Sequence, residues 1–439
     1  MHIALISARF TPEASPGAKR VTDLVASLQA AGHRTTVLTQ LPNYPDPGAF
    51  AAFPCDEGPV TIRRDPAGNE LWRFRPRLAA KGNLPARLVA EGLFAHRASR
   101  RETRLSGFDA VFATSPYIFS LWAASTYRVP MWLDLRDLTW DNARELGARN
   151  LLRTLGSQML KSLALRTFRA AVRISTTTAR QRRYLIEHGI APQRVVVVPN
   201  GVPKRIVDDL TPPAKSTRED RPLQVVYAGL LGFPQGLAFA VESMESLPAT
   251  QVELHLYGDG VDRPSLLEYC QSRHLPHIHL HGHVPYEQYL AALRSADILY
   301  ASLRPADSLA AAMPSKIWEY MAAGKPVLFA GEGEAAEAIQ QAGAGLSVRY
   351  GDRKDFQAKL QRLLADEAYR RKCGDNGRRW VLDHQIREEI NAAWVEAMER
   401  VCGAGPHAKD VRGREGTGAT RPGSEESYPR LGDYHPWQT

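Results

Sequence analysis

The sequence predicts an α/β protein built from two doubly wound domains, closed by a terminal helix and a disordered tail. Three observations carry that prediction. The chain has 439 residues, too many for one compact core. It opens with a strand, a loop, a helix and a second strand, which is the first unit of a doubly wound sheet. A second series of short apolar strands alternating with helices starts at Leu223, after a stretch poor in apolar anchors.

His2 to Ala8 reads as a buried strand and Arg9 to Pro16 as the loop after it. The next helix carries Val21, Leu24, Val25 and Leu28 at helical spacing. It stops at Ala31-Gly32-His33, where glycine suits a left-handed cap. Thr35 to Thr39 is the second strand. Short strands follow at Ala110 to Ala113, Pro130 to Asp134, Ala171 to Thr176 and Val195 to Pro199, with a helix around Tyr184-Leu185-Ile186 that ends at His188-Gly189. The first domain is expected over 1–203. A connection rich in Pro, Asp, Lys and Thr is expected over 204–222. In the second domain, 223–385, strands are expected at Leu223 to Ala228, Gln251 to Tyr257, His277 to His281, Asp297 to Tyr300 and Pro326 to Ala330. A last helix over 386–402 carries Ile386, Ile390, Ala393, Trp394, Ala397 and Val401 on one stripe. Residues 403–439 are rich in Gly, Pro and charge without periodicity and read as a disordered tail.

Apolar residues make up 44% and charged residues 23%, ordinary for a soluble globular protein. Cys55, Cys270, Cys373 and Cys402 lie far apart, so free thiols in a reducing cytosol are the simplest reading. No signal peptide is expected ahead of the opening strand, and no apolar run nears the roughly 20 residues of a spanning helix. A cytoplasmic protein is expected. The net charge of +9 and pI of about 9.4 suit nucleic acid, anionic lipid or a phosphorylated substrate. No aromatic-plus-basic module is visible, so nucleic acid is not an expected partner. Leu151, Leu152, Leu155, Met159 and Leu163 form one stripe in the basic segment 149–173, which fits either core packing or peripheral contact with an anionic membrane.

The string Pro314-Ser315-Lys316-Ile317-Trp318-Glu319-Tyr320-Met321-Ala322-Ala323-Gly324-Lys325-Pro326-Val327 sets a carboxylate on a helix, followed by a small-residue turn and an apolar strand. That layout puts Glu319 at the edge of an α/β sheet, where ligands bind, and a capping carboxylate is the alternative. Leu133-Asp134-Leu135-Arg136-Asp137-Leu138-Thr139-Trp140 ends an apolar strand in two carboxylates and a guanidinium, charges that need mutual pairing or a ligand. At the first helix, Gly17 lets a phosphate approach free amides, with Lys19 and Arg20 adding charge; a plain tight turn is equally consistent. No Asp-any-Asp pair is present, so no catalytic metal or other cofactor is expected.

These strings occur in order with Ala30-Ala31-Gly32-His33, Pro42-Asn43-Tyr44-Pro45, Pro199-Asn200-Gly201-Val202 and Val226-Tyr227-Ala228-Gly229-Leu230-Leu231-Gly232-Phe233-Pro234-Gln235-Gly236. Leu256-Tyr257-Gly258-Asp259-Gly260, His281-Gly282-His283-Val284-Pro285 and Ser295-Ala296-Asp297-Ile298 continue the order. Over about residues 1–400 the chain resembles family 4 glycosyltransferases of the GT-B architecture, in which two Rossmann-like domains face a cleft and a final helix crosses back to the first. It is most similar to Pro-Ser-Lys-type amino-sugar transferases of surface-polysaccharide pathways. The resemblance implies that Glu319 holds the ribose hydroxyls of a nucleotide-sugar donor and that Ser315 and Lys316 lie at its diphosphate. Gly229 and Gly232 would bring backbone to the phosphates, Gly258 would shape a loop around the base, and Gly17 and Glu334 complete the expected donor-binding set. Asp134, Arg136 and Asp137 would lie beside the reacting sugar, with Asp137 in an acid/base or acceptor-orienting role.

The chain departs from the family at two places. Ala311 stands where a first Glu normally contacts the transferred sugar, and Phe233 and Gln235 stand where relatives place Arg and Lys. Lys316 is expected to supply the missing cation. The expected activity is retaining transfer of a sugar from a nucleotide diphosphate, a UDP-sugar, to a glycan or lipid-linked acceptor. A nucleotide-sugar epimerase and a non-catalytic binding partner are the alternatives.

Overall fold

A computed structural model of the protein describes residues 1–13, 15–43, 47–50, 52–75, 84–100, 107–116, 118–140, 151–211 and 221–403. The expected tail beyond Gly403, Tyr44 and Pro45 of the Pro42 string, and the side chains of Leu151 and Leu152 lie outside what it describes.

The first sheet comprises β1 (His2–Ile6), β2 (Arg34–Gln40), β3 (Val60–Arg64), β4 (Glu70–Phe74), β5 (Ala110–Thr114), β6 (Met131–Leu135), β7 (Arg173–Thr176) and β8 (Val195–Val197). Their order is β3-β4-β2-β1-β5-β6-β7-β8, and only β3 runs antiparallel. Every residue of β1, β5 and β6 is buried, as near-continuous apolar runs in a covered parallel sheet require. The second sheet comprises β9 (Leu223–Ala228), β10 (Val252–Tyr257), β11 (Ile278–Gly282), β12 (Ile298–Ser302), β13 (Val327–Ala330) and β14 (Gly345–Val348). It is parallel throughout, in the order β11-β10-β9-β12-β13-β14. In each sheet the strand order reverses beside the first strand, between β1 and β5 and between β9 and β12. Ligands of open α/β sheets bind outside the carboxyl ends of strands at such points.

The chain divides into two units, Met1–Val198 with Glu388–Thr439, and Pro199–Arg387. The expected first boundary at 203 therefore moves back. Two backbone bonds and one side-chain bond explain why: Val202 N donates to Gln385 O (2.7 Å), Arg387 N donates to Val202 O (2.9 Å), and the Arg387 side-chain Nε donates to Asn200 O (3.0 Å). The expected connection over 204–222 is also partly structured. Lys204–Asp209 is a helix, and Val207 and Leu210 at its end are fully buried.

The final helix, Arg387–Cys402, packs in the first unit with Trp394 against Phe112 and Trp132 at ring separations of 5.2 and 5.3 Å. Its buried face is turned from the expected stripe: Val395, Met398 and Cys402 join Ile390 and Trp394, while Ala397 and Val401 are only partly buried. The basic helix Leu151–Ala170 departs from a core-packing stripe in a similar way. Ala164, Leu165 and Phe168 face the core, whereas Leu155 and Met159 are 48% and 74% exposed. Among the described residues no helix is long and apolar enough to cross a membrane.

Candidate functional site

In the first unit the candidate residues gather at the carboxyl end of β6. Asp134 is its fourth residue and has no exposed surface. Arg136 grips it with two nitrogens, Nε to Oδ2 at 2.7 Å and NH2 to Oδ1 at 2.6 Å. Arg20 adds a third charged contact at 2.8 Å, and the hydroxyls of Thr114 (2.8 Å) and Ser175 (2.6 Å) also donate to the carboxylate. Burial would raise the Asp134 carboxyl, but the two guanidiniums outweigh it and hold the group at about 2. Arg136 is anchored further by NH1 donating to Val198 O at 2.8 Å.

Arg20 is therefore the partner of a buried carboxylate and not a cation displayed for phosphate: it is 7% exposed and also donates to Thr114 Oγ1. Lys19 stays exposed. Gly17 lies in the first turn of the helix Pro16–Ala30 with open space around it, so packing does not demand a glycine there. Asp137 is different from Asp134. Its side chain reaches solvent and makes no hydrogen bond among the described residues. Protein surrounding it at longer range still desolvates it, and this raises its carboxyl above the ordinary value against the pull of Arg136 and Arg20.

In the second unit the candidates converge on the carboxyl end of β9. After Ala228 the chain turns through Gly229, at φ 146°, a conformation that favours glycine. A methyl group at Gly229 would come within 2.6 Å of Lys316 Nζ, so this glycine makes room for the lysine. Gly258, at φ 130°, meets the same loop: a methyl there would lie 1.9 Å from Gly229 O. Gly229 N donates to Tyr257 O (2.9 Å) and Leu231 N to Asp259 O (2.9 Å), so the loops after β9 and β10 pack backbone to backbone. Gly258 serves that packing. Gly232 leads into a short 3-10 turn, Phe233–Gln235.

Ser315 and Lys316 open the helix Ser315–Ala322, whose N-cap Pro314 offers no side-chain acceptor to its free amides. Lys316 Nζ donates to Tyr227 Oη at 2.6 Å and lies 3.8 Å from the centre of the Tyr227 ring. Burial lowers the Lys316 ammonium to about 7, with Glu319 opposing the shift. Glu319 stands one helical turn on and accepts a hydrogen bond from Tyr289 Oη. Tyr320 fixes the same helix to the strand end, its hydroxyl bonding both the N–H (2.8 Å) and the C=O (3.2 Å) of Ala228.

Ala311 is buried beside the short helix Asp307–Ala310. Glu334 opens the helix Glu334–Gln341 and is 2% exposed; the helix dipole favours a carboxylate there. One further cation has no signal in the sequence. Arg304, just past β12, lies 4.2 Å from the ring centre of Phe233, and its N–H donates to Pro234 O at 2.8 Å. A guanidinium thus stands against the loop that itself carries only Phe233 and Gln235. Nothing local marks it, because it comes from a strand distant in sequence.

Residues 17–201 match the family model of the glycosyl transferase 4-like domain, and residues 210–380 match that of glycosyl transferases group 1. No curated protein matches the chain significantly. Several solved structures share the fold. A sucrose-phosphate synthase from Thermosynechococcus elongatus is 20% identical with a TM-score of 0.69, covering 92% of this chain and 100% of its own. HepE from Anabaena, solved with UDP-glucose, is 13% identical with a TM-score of 0.63, covering 91% and 100%. WaaG, a glycosyltransferase involved in lipopolysaccharide biosynthesis, is 14% identical with a TM-score of 0.62, covering 92% and 100%.

Proposed function

With these two domains in tandem the chain is a family 4-like glycosyltransferase of the GT-B fold, and we propose that it transfers a hexosyl or N-acetylhexosaminyl group from a UDP-sugar to a glycan or lipid-linked acceptor in surface-polysaccharide biosynthesis. The observation that carries this reading is Lys316, a desolvated ammonium at a helix N-terminus whose hydrogen-bond partner is a neutral phenol. Such a group gains most from an anion that arrives with the ligand.

In this reading Lys316, Arg304 and the amides of Ser315 and Lys316 hold the diphosphate, and the tight turn at Gly229 lets backbone approach it. Glu319, oriented by Tyr289, accepts from the ribose hydroxyls. Asp137 orients the acceptor hydroxyl and takes its proton as oxygen replaces the diphosphate at the anomeric carbon, with retention; its raised pKa suits a proton acceptor. The leaving diphosphate departs with the bonding electrons, stabilised by the same cations and helix dipole, without a metal. Asp134 and Arg136 act as positioning residues beneath Asp137.

HepE bound to UDP-glucose supports a uridine donor, and WaaG's place in lipopolysaccharide synthesis supports a surface-glycan product. The exposed Leu155 and Met159 on a basic helix support peripheral contact with an anionic inner membrane face. The test is a thermal-shift panel of nucleotide sugars, followed by incubation of the binders with lipid-linked acceptors. Stabilisation by a UDP-sugar and appearance of an extended acceptor support the proposal. Binding without transfer would favour the non-catalytic partner, the reading that Ala311 motivates, and donor conversion without an acceptor would favour the epimerase.

A further inference from the structure

The sugar-transfer reading leaves unused a cluster on the open face of the second sheet. Along β10, buried Val252, Leu254 and Leu256 alternate with Glu253, His255 and Tyr257, which are only partly covered. β11 is the edge strand, and His279 pairs directly across from His255. His281 follows on the same face. The four rings stack in a row: Tyr257 on His281 at 4.1 Å, His281 on His255 at 5.3 Å, and His255 on His279 at 4.6 Å.

Glu253 lies within reach of two of these imidazoles, with His255 Nε2 at 3.1 Å from Oε2 and His279 Nε2 at 3.8 Å from Oε1. The ligating atoms of Glu253, His255 and His279 lie within 4.8 Å of one another. A purely aromatic stack would leave its ring nitrogens at the solvent edge. Here His279 Nε2 is buried and lacks a hydrogen-bond partner, although it is aimed at the carboxylate. A buried nitrogen in that state has given up hydration without replacement.

We propose that Glu253, His255 and His279 form a binding site for a late first-row divalent cation, zinc being the best match. Two imidazoles and one carboxylate from adjacent strands are a zinc-type donor set, with a fourth position left for water. His281 completes the arrangement from outside, its Nε2 lying 3.0 Å from His255 Nδ1. With the cation bound, His255 Nδ1–H donates to His281 and Nε2 faces the metal, the outer hydrogen bond that orients a histidine ligand. Partly covered Glu253 has the freedom to draw the three ligands together. Bound there, the cation ties edge strand β11 to β10. It takes no part in the diphosphate chemistry proposed for Lys316, and it stands whether or not the chain transfers a sugar.

The test uses tag-free full-length protein stripped with a chelator and titrated with zinc against a chromophoric competitor, then with cobalt followed by visible absorption. The expected result is one equivalent bound, a four-coordinate cobalt spectrum, and a rise in melting temperature with zinc. His279→Ala and Glu253→Gln should each weaken binding by at least about 100-fold, and His281→Phe by about 10-fold, the usual scale for losing an outer partner. His274→Ala, elsewhere on the surface, should leave it unchanged. Equal zinc affinity in the wild type and His279→Ala, or no stoichiometric binding by the wild type, would overturn the proposal. Circular dichroism of each variant separates lost ligation from lost folding.

Discussion

The carboxyl ends of β6 and β9 both bury charge, and they treat it in opposite ways. At β6 the carboxylate of Asp134 meets two guanidiniums and two hydroxyls, all at hydrogen-bond distance, and its ionised form is strongly favoured. At β9 the ammonium of Lys316 meets a phenol and an aromatic face, and its charged form is disfavoured. A charge satisfied by its own chain is a structural group. A charge left short of an opposite charge is prepared for a ligand that brings one. Under the proposed reading the pair separates scaffold from site by electrostatics, where sequence pattern puts both among the candidate site residues.

The contrast breaks most visibly at Asp134. Asp134→Ala leaves buried Arg20 and half-buried Arg136 without their counter-charge and should cost about 3–5 kcal/mol in chemical denaturation. The pH dependence has a definite sign. Because the folded carboxyl sits at about 2, below its ordinary value of 3.8, its contribution is fully present above about pH 4 and is lost as pH falls through 2. Denaturation midpoints measured from pH 6 downward should show that loss in the wild type and a smaller one in the variant. If Asp134→Ala keeps its stability but loses only activity, Asp134 is catalytic and the contrast with Lys316 fails.

At β9 the expected effect falls on binding. Glu319→Ala should weaken UDP-sugar affinity by about 10–100-fold with little change in melting temperature, the scale of hydrogen bonds to a charged group. Unchanged affinity would remove the ribose assignment. Gly229→Ala drives a methyl into Lys316 and should lower UDP affinity further than it lowers stability, as read by calorimetry beside thermal unfolding. The smallest effect is expected at the surface. Met159→Asp should reduce sedimentation with vesicles containing anionic lipid by a few-fold while leaving UDP binding unchanged.

Much of the second domain is legible in its sequence. The five strands expected there fall within two residues of β9 to β13 at either end, because buried parallel strands are short apolar runs bounded by turn residues. The antiparallel pair β3 and β4 carries no such signal, since Val60–Arg64 and Glu70–Phe74 hold charges in place of a clean apolar run. β14, Gly345–Val348, mixes Gly and Ser with its apolar residues and is buried only at Val348, so it shows no such apolar run. The site is half legible. Lys316 and Glu319 share one string, and their neighbourhood can be read locally. Arg20 with Asp134, Arg304 with Phe233, and Tyr289 with Glu319 are contacts between distant segments, which periodicity and composition do not encode.

Lys316, as the group that waits for the donor's anion, is the point on which the sugar-transfer reading turns. Isothermal titration of UDP at pH 8, in two buffers of different ionisation enthalpy, measures the protons taken up on binding. With its ammonium at about 7 in the free protein, Lys316 is mostly neutral at pH 8 and must protonate beside the diphosphate. The wild type should therefore take up close to one proton (about 0.9 at that pKa), and Lys316→Met should take up none and bind more weakly. Equal heats in both buffers for the wild type, or an uptake that survives in Lys316→Met, would contradict that role.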